Sequence, residues 1–307
     1  MMELRLLVTF EKVATVLSFT QAAAELKYAQ SSVTSQIRSL ESSLGTELFD
    51  RLGSRIRLTE AGERLLPYAR QIIELTDEAR AAVVDAEEPT GAIAVGTMES
   101  LTSYRLPPLL ELFHHRYPKV QLTLRPTLGD ETRLALRQGT YDVGFLMERE
   151  TEHQGLETAV LAEEPLVLVC APTHPLAAHG ADSLATGDLA AVQLVGTEPG
   201  CPYRDLFEYE LRERNGSPPP FMEFGTIEAT KRGVAGGLGV ALLPRMAVRD
   251  ELASGVLVPL PWEPPFVLHT QLAWRTGKRL PAHVRLFIDQ TVRLVREQAA
   301  ETQEPAN

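Results

Sequence analysis

Val33, Ile37, Leu40 and Leu44 recur at spacings of four, three and four, which lays one apolar stripe along an α-helix beginning near Gln30. Gln30, Ser31, Ser32, Thr34, Ser35 and Arg38 fill its other faces. Ahead of it, residues 20–26 predict a short helix with Thr20 as N-cap and Ala22, Ala23 and Ala24 small enough for close packing. Behind it, Ile56 and Leu58 alternate with Arg51, Arg55 and Arg57 around Gly53 and Ser54, the pattern of a small basic β-hairpin. Two helices joined by a tight polar turn and followed by a basic wing predict a winged helix-turn-helix.

The polar face has the chemistry that reading DNA requires. Hydroxyls near a helix N-terminus reach base edges and phosphates, Gln30 can pair bidentately with adenine, and Arg38 can hold a phosphate or a guanine. Most polar helix faces are merely solvated; the basic wing beside this one turns the reading towards duplex DNA. The candidate contacts are Thr20, Gln30, Ser31, Ser32, Thr34, Ser35, Arg38, Arg51 and Arg55.

A long helix is predicted next, over residues 59–88, with Thr59 as N-cap and a stop at Glu87-Glu88-Pro89. Leu65, Ile72 and Ala79 form one row with a spacing of seven, and Tyr68, Leu75 and Ala82 a second. Two copies could pair along these rows, or the stripe could pack on its own chain. Pro67 predicts a kink. From residue 91 short apolar runs alternate with helical periods, βαβαβ and then a second such set, so two α/β lobes with parallel strands are expected.

The ordered succession SFTQAAAEL, QSSVTSQIRSLE, LGTELFDR and RLTEAG makes residues 2–90 resemble the N-terminal region of LysR-type transcriptional regulators. RLPPLL with RYP, THPLA and GGLGVALLP extend the resemblance more weakly through the rest of the chain. Ser31, Ser32 and Ser35 stand where family members commonly have proline, alanine and arginine. The resemblance implies an α/β multidomain chain: a winged helix-turn-helix over 1–58, a dimerising linker helix over 59–88, and two lobes like those of periplasmic solute-binding proteins. Lobe 1 takes 91–161 plus 267–300 and lobe 2 takes 162–266, crossing near Leu161 and again near Phe266, with 301–307 as a disordered tail. It also implies a homo-oligomer, dimer or dimer of dimers, that binds double-stranded DNA and a small-molecule effector, and contacts RNA polymerase if it activates.

In α/β sheets ligands bind outside the carboxyl ends of strands. Three such places are rich in hydroxyls: residues 97–103, 197–203 and 225–227. Helix N-termini with hydroxyls suit a carboxylate or other small anion, although each hydroxyl taken alone suits a helix cap equally. The candidate effector residues are Ser100, Thr102, Thr197, Cys201 and Thr226. Cys201, at an expected helix N-terminus with Arg204 one turn on, should have a lowered pKa. A redox sensor is therefore an alternative, and the peroxide-sensing branch of the resembled family keeps a cysteine near this place. Those sensors use a resolving cysteine downstream, which this chain lacks, and Cys170 falls in an apolar strand.

The net charge of −11 changes the picture only once it is divided along the chain. Residues 1–60 are neutral, so the whole excess falls on the remainder, and one head alone should bind DNA modestly. Pairing two heads on one duplex would raise that affinity. The 44% apolar and 23% charged composition is that of a globular chain, and no long uncharged apolar run or leader pattern is present, which predicts a cytoplasmic protein without a membrane partner. No HExxH, P-loop or GxSxG occurs, and neither a metal nor a cofactor is expected. The reading is a ligand-responsive transcriptional regulator and not an enzyme. A solute-binding protein or an enzyme on the same scaffold remains as a rival.

Overall fold

The computed structural model describes residues 3–52, 55–83, 89–179, 184–190, 192–216, 220–277 and 280–303. They belong to two compact units, Met1–Glu87 and Glu88–Asn307.

In the first unit Leu6, Leu7, Phe10, Val13 and Ala14 line the buried face of α1 (Leu4–Val16), a helix absent from the expected elements. Next, α2 (Phe19–Leu26) is capped by Ser18 and not by Thr20: Ser18 Oγ accepts from the Gln21 N–H at 3.2 Å. Ser18 has the extended backbone an N-cap needs (φ −151°, ψ 119°), and Phe19 must already be helical for its ring to reach the edge of Phe49, 5.8 Å away between centroids. Third comes α3 (Gln30–Leu44), which buries Val33, Ile37 and Leu40 completely; Leu44, expected as the end of that stripe, is 41% exposed.

The wing is an antiparallel pair, β1 (Phe49–Leu52) and β2 (Arg55–Leu58), with Asp50 opposite Arg57 and Arg51 opposite Ile56. The expected turn at Gly53 and Ser54 lies outside the described residues. Thr59 caps α4 (Glu60–Val83), its hydroxyl accepting from the Gly62 N–H at 3.1 Å. Helix α4 continues across Pro67, and its first half divides its apolar residues between two faces. Leu65, Leu66, Ala69 and Ile73 pack on the core of their own unit, so Leu65 leaves the row proposed for pairing. Tyr68, Ile72, Leu75 and Ala79 stay exposed at spacings of four, three and four. The Ala82 side chain and the stop at residues 87–88 lie outside the described residues.

The second unit starts with β3 (Gly91–Thr97), α5 (Pro107–Arg116), β4 (Val120–Pro126), α6 (Gly129–Gln138), β5 (Val143–Glu148) and the unexpected β6 (Leu156–Glu163). It continues through β7 (Leu166–Cys170), β8 (Leu194–Gly196), α7 (Pro202–Asn215), β9 (Phe221–Glu223), α8 (Ile227–Ala235), β10 (Ala241–Pro244), α9 (Arg249–Ser254) and β11 (Val258–Pro259). It ends with β12 (His269–Arg275) and α10 (Ala282–Gln303). Helix α10 reaches past residue 300, where a tail was expected to begin; 304–307 lie outside the described residues, as do 218 and 219 of the expected proline loop.

The first lobe is a five-stranded sheet in the order β4-β3-β5-β12-β6. It is mixed, where an all-parallel sheet was expected: β3 runs parallel to β4 and β5, but β12 runs antiparallel to β5 and β6. The register gives the reason. His269 pairs with both Glu148 and Glu163, so the returning chain enters at the carboxyl ends of β5 and β6 and must run back between them. In the second lobe β10-β7-β11 is antiparallel, β8-β9 is parallel, and a bridge from Leu194 to Val240 joins the two sets.

Strand β6 stays in the first sheet through Glu163, which moves the outward crossing from near Leu161 to Glu164 and Pro165. Glu164 fixes both crossings. Its carboxylate accepts from Arg105 Nη2 at 2.6 Å and from Thr270 Oγ1 at 2.7 Å, with the Arg105 and Glu164 side chains 8% and 1% exposed. Arg105 closes a π-helical turn, Leu101–Arg105, that the sequence pattern did not indicate. Among the described residues no helix is long and apolar enough to cross a membrane.

Candidate DNA interface and ligand cleft

Helix α3 owes its position to its buried stripe, and that burial directs its polar face outward. Gln30, Ser31, Thr34, Ser35 and Arg38 line one open depression on it. Gln30, Ser31, Ser32, Ser35 and Arg38 are exposed, whereas Thr34 is half-buried and donates its hydroxyl to the Gln30 carbonyl at 3.0 Å, which leaves it only as an acceptor. The residue before the helix, Ala29, makes no side-chain cap; its carbonyl accepts from the Ser32 and Val33 N–H groups, and those of Gln30 and Ser31, ahead of them, suit a phosphate. Ser32 lies off the depression and Thr20 is exposed on α2. The side chains of Arg51 and Arg55 lie outside the described residues, and Arg57 is exposed.

In the second unit the carboxyl ends of four strands meet around a cavity of about 400 Å³. Strand β3 leads to Ser100, β8 to Thr197 and Cys201, and β9 to Thr226. Four of the five expected residues therefore line one cavity. Thr102 does not: its hydroxyl turns back to the Met98 carbonyl at 3.1 Å, in the π-helical turn. Thr226 also caps α8, accepting from the Ala229 N–H at 3.2 Å.

Three further lining residues were not among the expected ones: Glu99, Glu131 and Glu198. Glu99 and Glu198 stand inside the two hydroxyl-rich stretches already singled out, and Glu131 follows the carboxyl end of β4, where the same strand-end rule applies. A hydroxyl-rich pattern carries no signal for a carboxylate. The neighbouring hollow contains Arg133, but that guanidinium is held by Asp130 at 2.6 Å and Glu148 at 2.5 Å.

Cys201 is 5% exposed, and burial pushes its thiol up to about 11, outweighing the nearby hydroxyls and the Arg204 N–H. The expected lowering therefore fails. The Arg204 guanidinium is engaged elsewhere, by the Thr197 carbonyl and by Glu208 and Glu223, both at 3.0 Å, and it lies 4.3 Å over the Phe221 ring. Cys170 is a buried free thiol in β7, also pushed by burial up to about 11.

Comparison with known proteins agrees with this layout. Residues 4–63 match the family described as bacterial regulatory helix-turn-helix protein, lysR family, and residues 86–296 match the LysR substrate binding domain. The chain is 42% identical to the HTH-type transcriptional regulator YwqM of Bacillus subtilis (strain 168), covering 94% of this chain and 98% of that one. It is 34% identical to YfiE of Escherichia coli (strain K12), over 94% and 97% of the two chains. Among solved structures it resembles a full-length OxyR variant from Pseudomonas aeruginosa, with 26% identity, a TM-score of 0.77, and 96% and 95% of the chains covered. The chain belongs to the LysR family of helix-turn-helix transcriptional regulators, with a substrate-binding domain after its DNA-binding head.

Proposed function

We propose that the chain reads duplex DNA with the exposed face of α3 and answers to a small molecule bound in the cleft of its second unit. The observation that carries this is the single depression formed by Gln30, Ser31, Thr34, Ser35 and Arg38 on a helix whose opposite face buries Val33, Ile37 and Leu40. Gln30 and Arg38 read base edges or hold phosphates, the hydroxyls and uncapped amides fix the register, and the wing arginines add sequence-independent attraction.

A neutral head binds weakly alone, and the exposed row Tyr68, Ile72, Leu75 and Ala79 gives a second copy an apolar seam on α4. The assembly is a dimer or a dimer of dimers on a partly palindromic site. Ligand acts through its different affinity for two arrangements of the lobes, whose crossings are held by Glu164. An activating role would add a contact with RNA polymerase. The buried, unactivated Cys201 favours a ligand-pocket role over redox sensing. Retention of duplex from beside its own gene by the full chain tests the reading, and its absence would overturn it.

A further inference from the structure

The sign of the charge in the cleft points away from an anion. Of the side chains lining the cavity, Glu99, Glu131 and Glu198 are acidic and none is lysine, arginine or histidine. Of the helix N-termini beside the cavity, those of α7 and α8 offer few free N–H groups, and α6, whose N-cap Leu128 makes no side-chain bond, carries Asp130 and Glu131 in its own first turn. The Ile227 N–H of α8 donates to Glu99 Oε2 at 3.0 Å and the Ala229 N–H to Thr226. Helix α7 begins with Pro202, which has no N–H, and the Gly200 N–H before it donates to Asp205 at 3.1 Å. An incoming carboxylate would meet three like charges.

A second observation, at Thr197, points to a polar ligand. Thr197 is 3% exposed and lines the cavity, yet its Oγ1, beside the Cys201 thiol and the Tyr203 hydroxyl, makes no hydrogen bond of ordinary geometry. A buried unsatisfied hydroxyl is costly unless a ligand completes it. Among the described residues no three His, Cys, Asp or Glu side chains converge tightly enough to hold a metal ion, so the carboxylates suit an extended molecule. The cavity walls between them include Met98, Leu128 and Ile227.

Resting on the reading of this cleft as the effector site, we propose that it takes a small organic cation, an ammonium on a short apolar body. The ammonium donates to Glu131 and Glu198 and the body packs on Met98 and Leu128. A polar atom of the ligand completes the Thr197 hydroxyl. The size of the cavity fits a molecule of this class.

The test compares butane-1,4-diammonium and benzylammonium with succinate and benzoate, by thermal unfolding of the full chain at fixed ionic strength. The expected result is a saturable rise in melting temperature with at least one ammonium probe and none with the carboxylates. A Glu131→Gln/Glu198→Gln double variant should weaken that binding about tenfold or more, the scale of a lost charge-assisted hydrogen bond. The wild-type comparison stands even if that variant does not fold. Stabilisation by the carboxylates alone, by neither class, or by ammonium undiminished in a folded double variant would overturn the proposal. Duplex retention by the same preparation is scored separately: its loss overturns the regulator reading, whereas retention alongside carboxylate-selective stabilisation overturns only the charge assignment.

Discussion

Glu99, in the helical turn after β3, accepts a hydrogen bond through its Oε2 from the backbone N–H of Ile227, the first residue of α8, at 3.0 Å. The first lobe thus supplies the anion for a helix N-terminus of the second, where it interacts favourably with the helix dipole. Glu99→Ala is expected to lower the unfolding free energy by about 1–2 kcal/mol. Added formate or acetate, able to fill the vacated position, should recover part of it. Denaturant unfolding with and without formate, against chloride at equal ionic strength, measures both effects.

The buried pair of Arg105 and Glu164 behaves differently because water cannot replace the missing partner. Glu164→Ala leaves an uncompensated guanidinium 8% exposed and should cost about 3–5 kcal/mol. The half-exposed Glu228 bonds to Lys231 at 2.7 Å, and Glu228→Gln should cost under about 1 kcal/mol. Urea titrations of the two variants check the contrast.

The group Tyr104, Glu228 and Lys231 also sets a pH window. The Lys231 bond, then that from Tyr104, holds the Glu228 carboxyl below its ordinary 4.5, so its contribution is complete above about that pH and is lost as pH falls through the lowered value. Burial opposes the Lys231 ammonium, but its bonds to Glu228, Glu251 and Tyr104 together carry it above 10.5. Burial pushes the Tyr104 hydroxyl up to about 12. Both contributions are present below pH 10 and lost as pH rises through the raised values. For Glu228→Gln, the acid limb of stability against pH should be shallower than that of the wild type.

Gly62 lies where α4 meets the wing: a Cβ there would stand 2.3 Å from the Leu48 carbonyl oxygen and 2.8 Å from a Leu58 methyl. The first contact is with backbone, so it cannot be relieved by a rotamer change. Gly62→Ala should destabilise the first unit by about 1–3 kcal/mol despite better helix propensity. Calorimetry of the full chain checks this through the transition of that unit.

Cys201 should react slowly with a neutral disulfide reagent at pH 8, since burial leaves little thiolate at that pH. Native reaction rates for wild type and Cys201→Ser, compared with the unfolded chain, test it. A fast phase that disappears in Cys201→Ser would restore the redox alternative.

Periodicity made the head legible: the stripe of α3, the alternation of the wing and the cap at Thr59 are local signals, and local packing obeys them. Helix α1 carries the same local signal in Leu6, Leu7, Phe10, Val13 and Ala14, although it was absent from the expected elements. Ser18 displaced Thr20 as cap because the Phe19 ring needs the core, which is a tertiary demand. The antiparallel β12 was not legible either, since strand direction depends on where the chain re-enters the first lobe. In the cleft, strand-end composition located Ser100, Thr197, Cys201 and Thr226, while the backbone turn that withdraws Thr102 leaves no mark in its residue types.

The most direct test of DNA reading by α3 is the salt dependence of duplex affinity for the full chain and for its Arg38→Ala and Gln30→Ala variants. Wild-type affinity should fall steeply with salt, and Arg38→Ala should bind more weakly, with a slope shallower by about one per head if Arg38 holds a phosphate. Gln30→Ala should lose about 1–3 kcal/mol of discrimination at one base position with little change in slope. Equal retention by all three proteins, with no dependence on salt, would contradict the account.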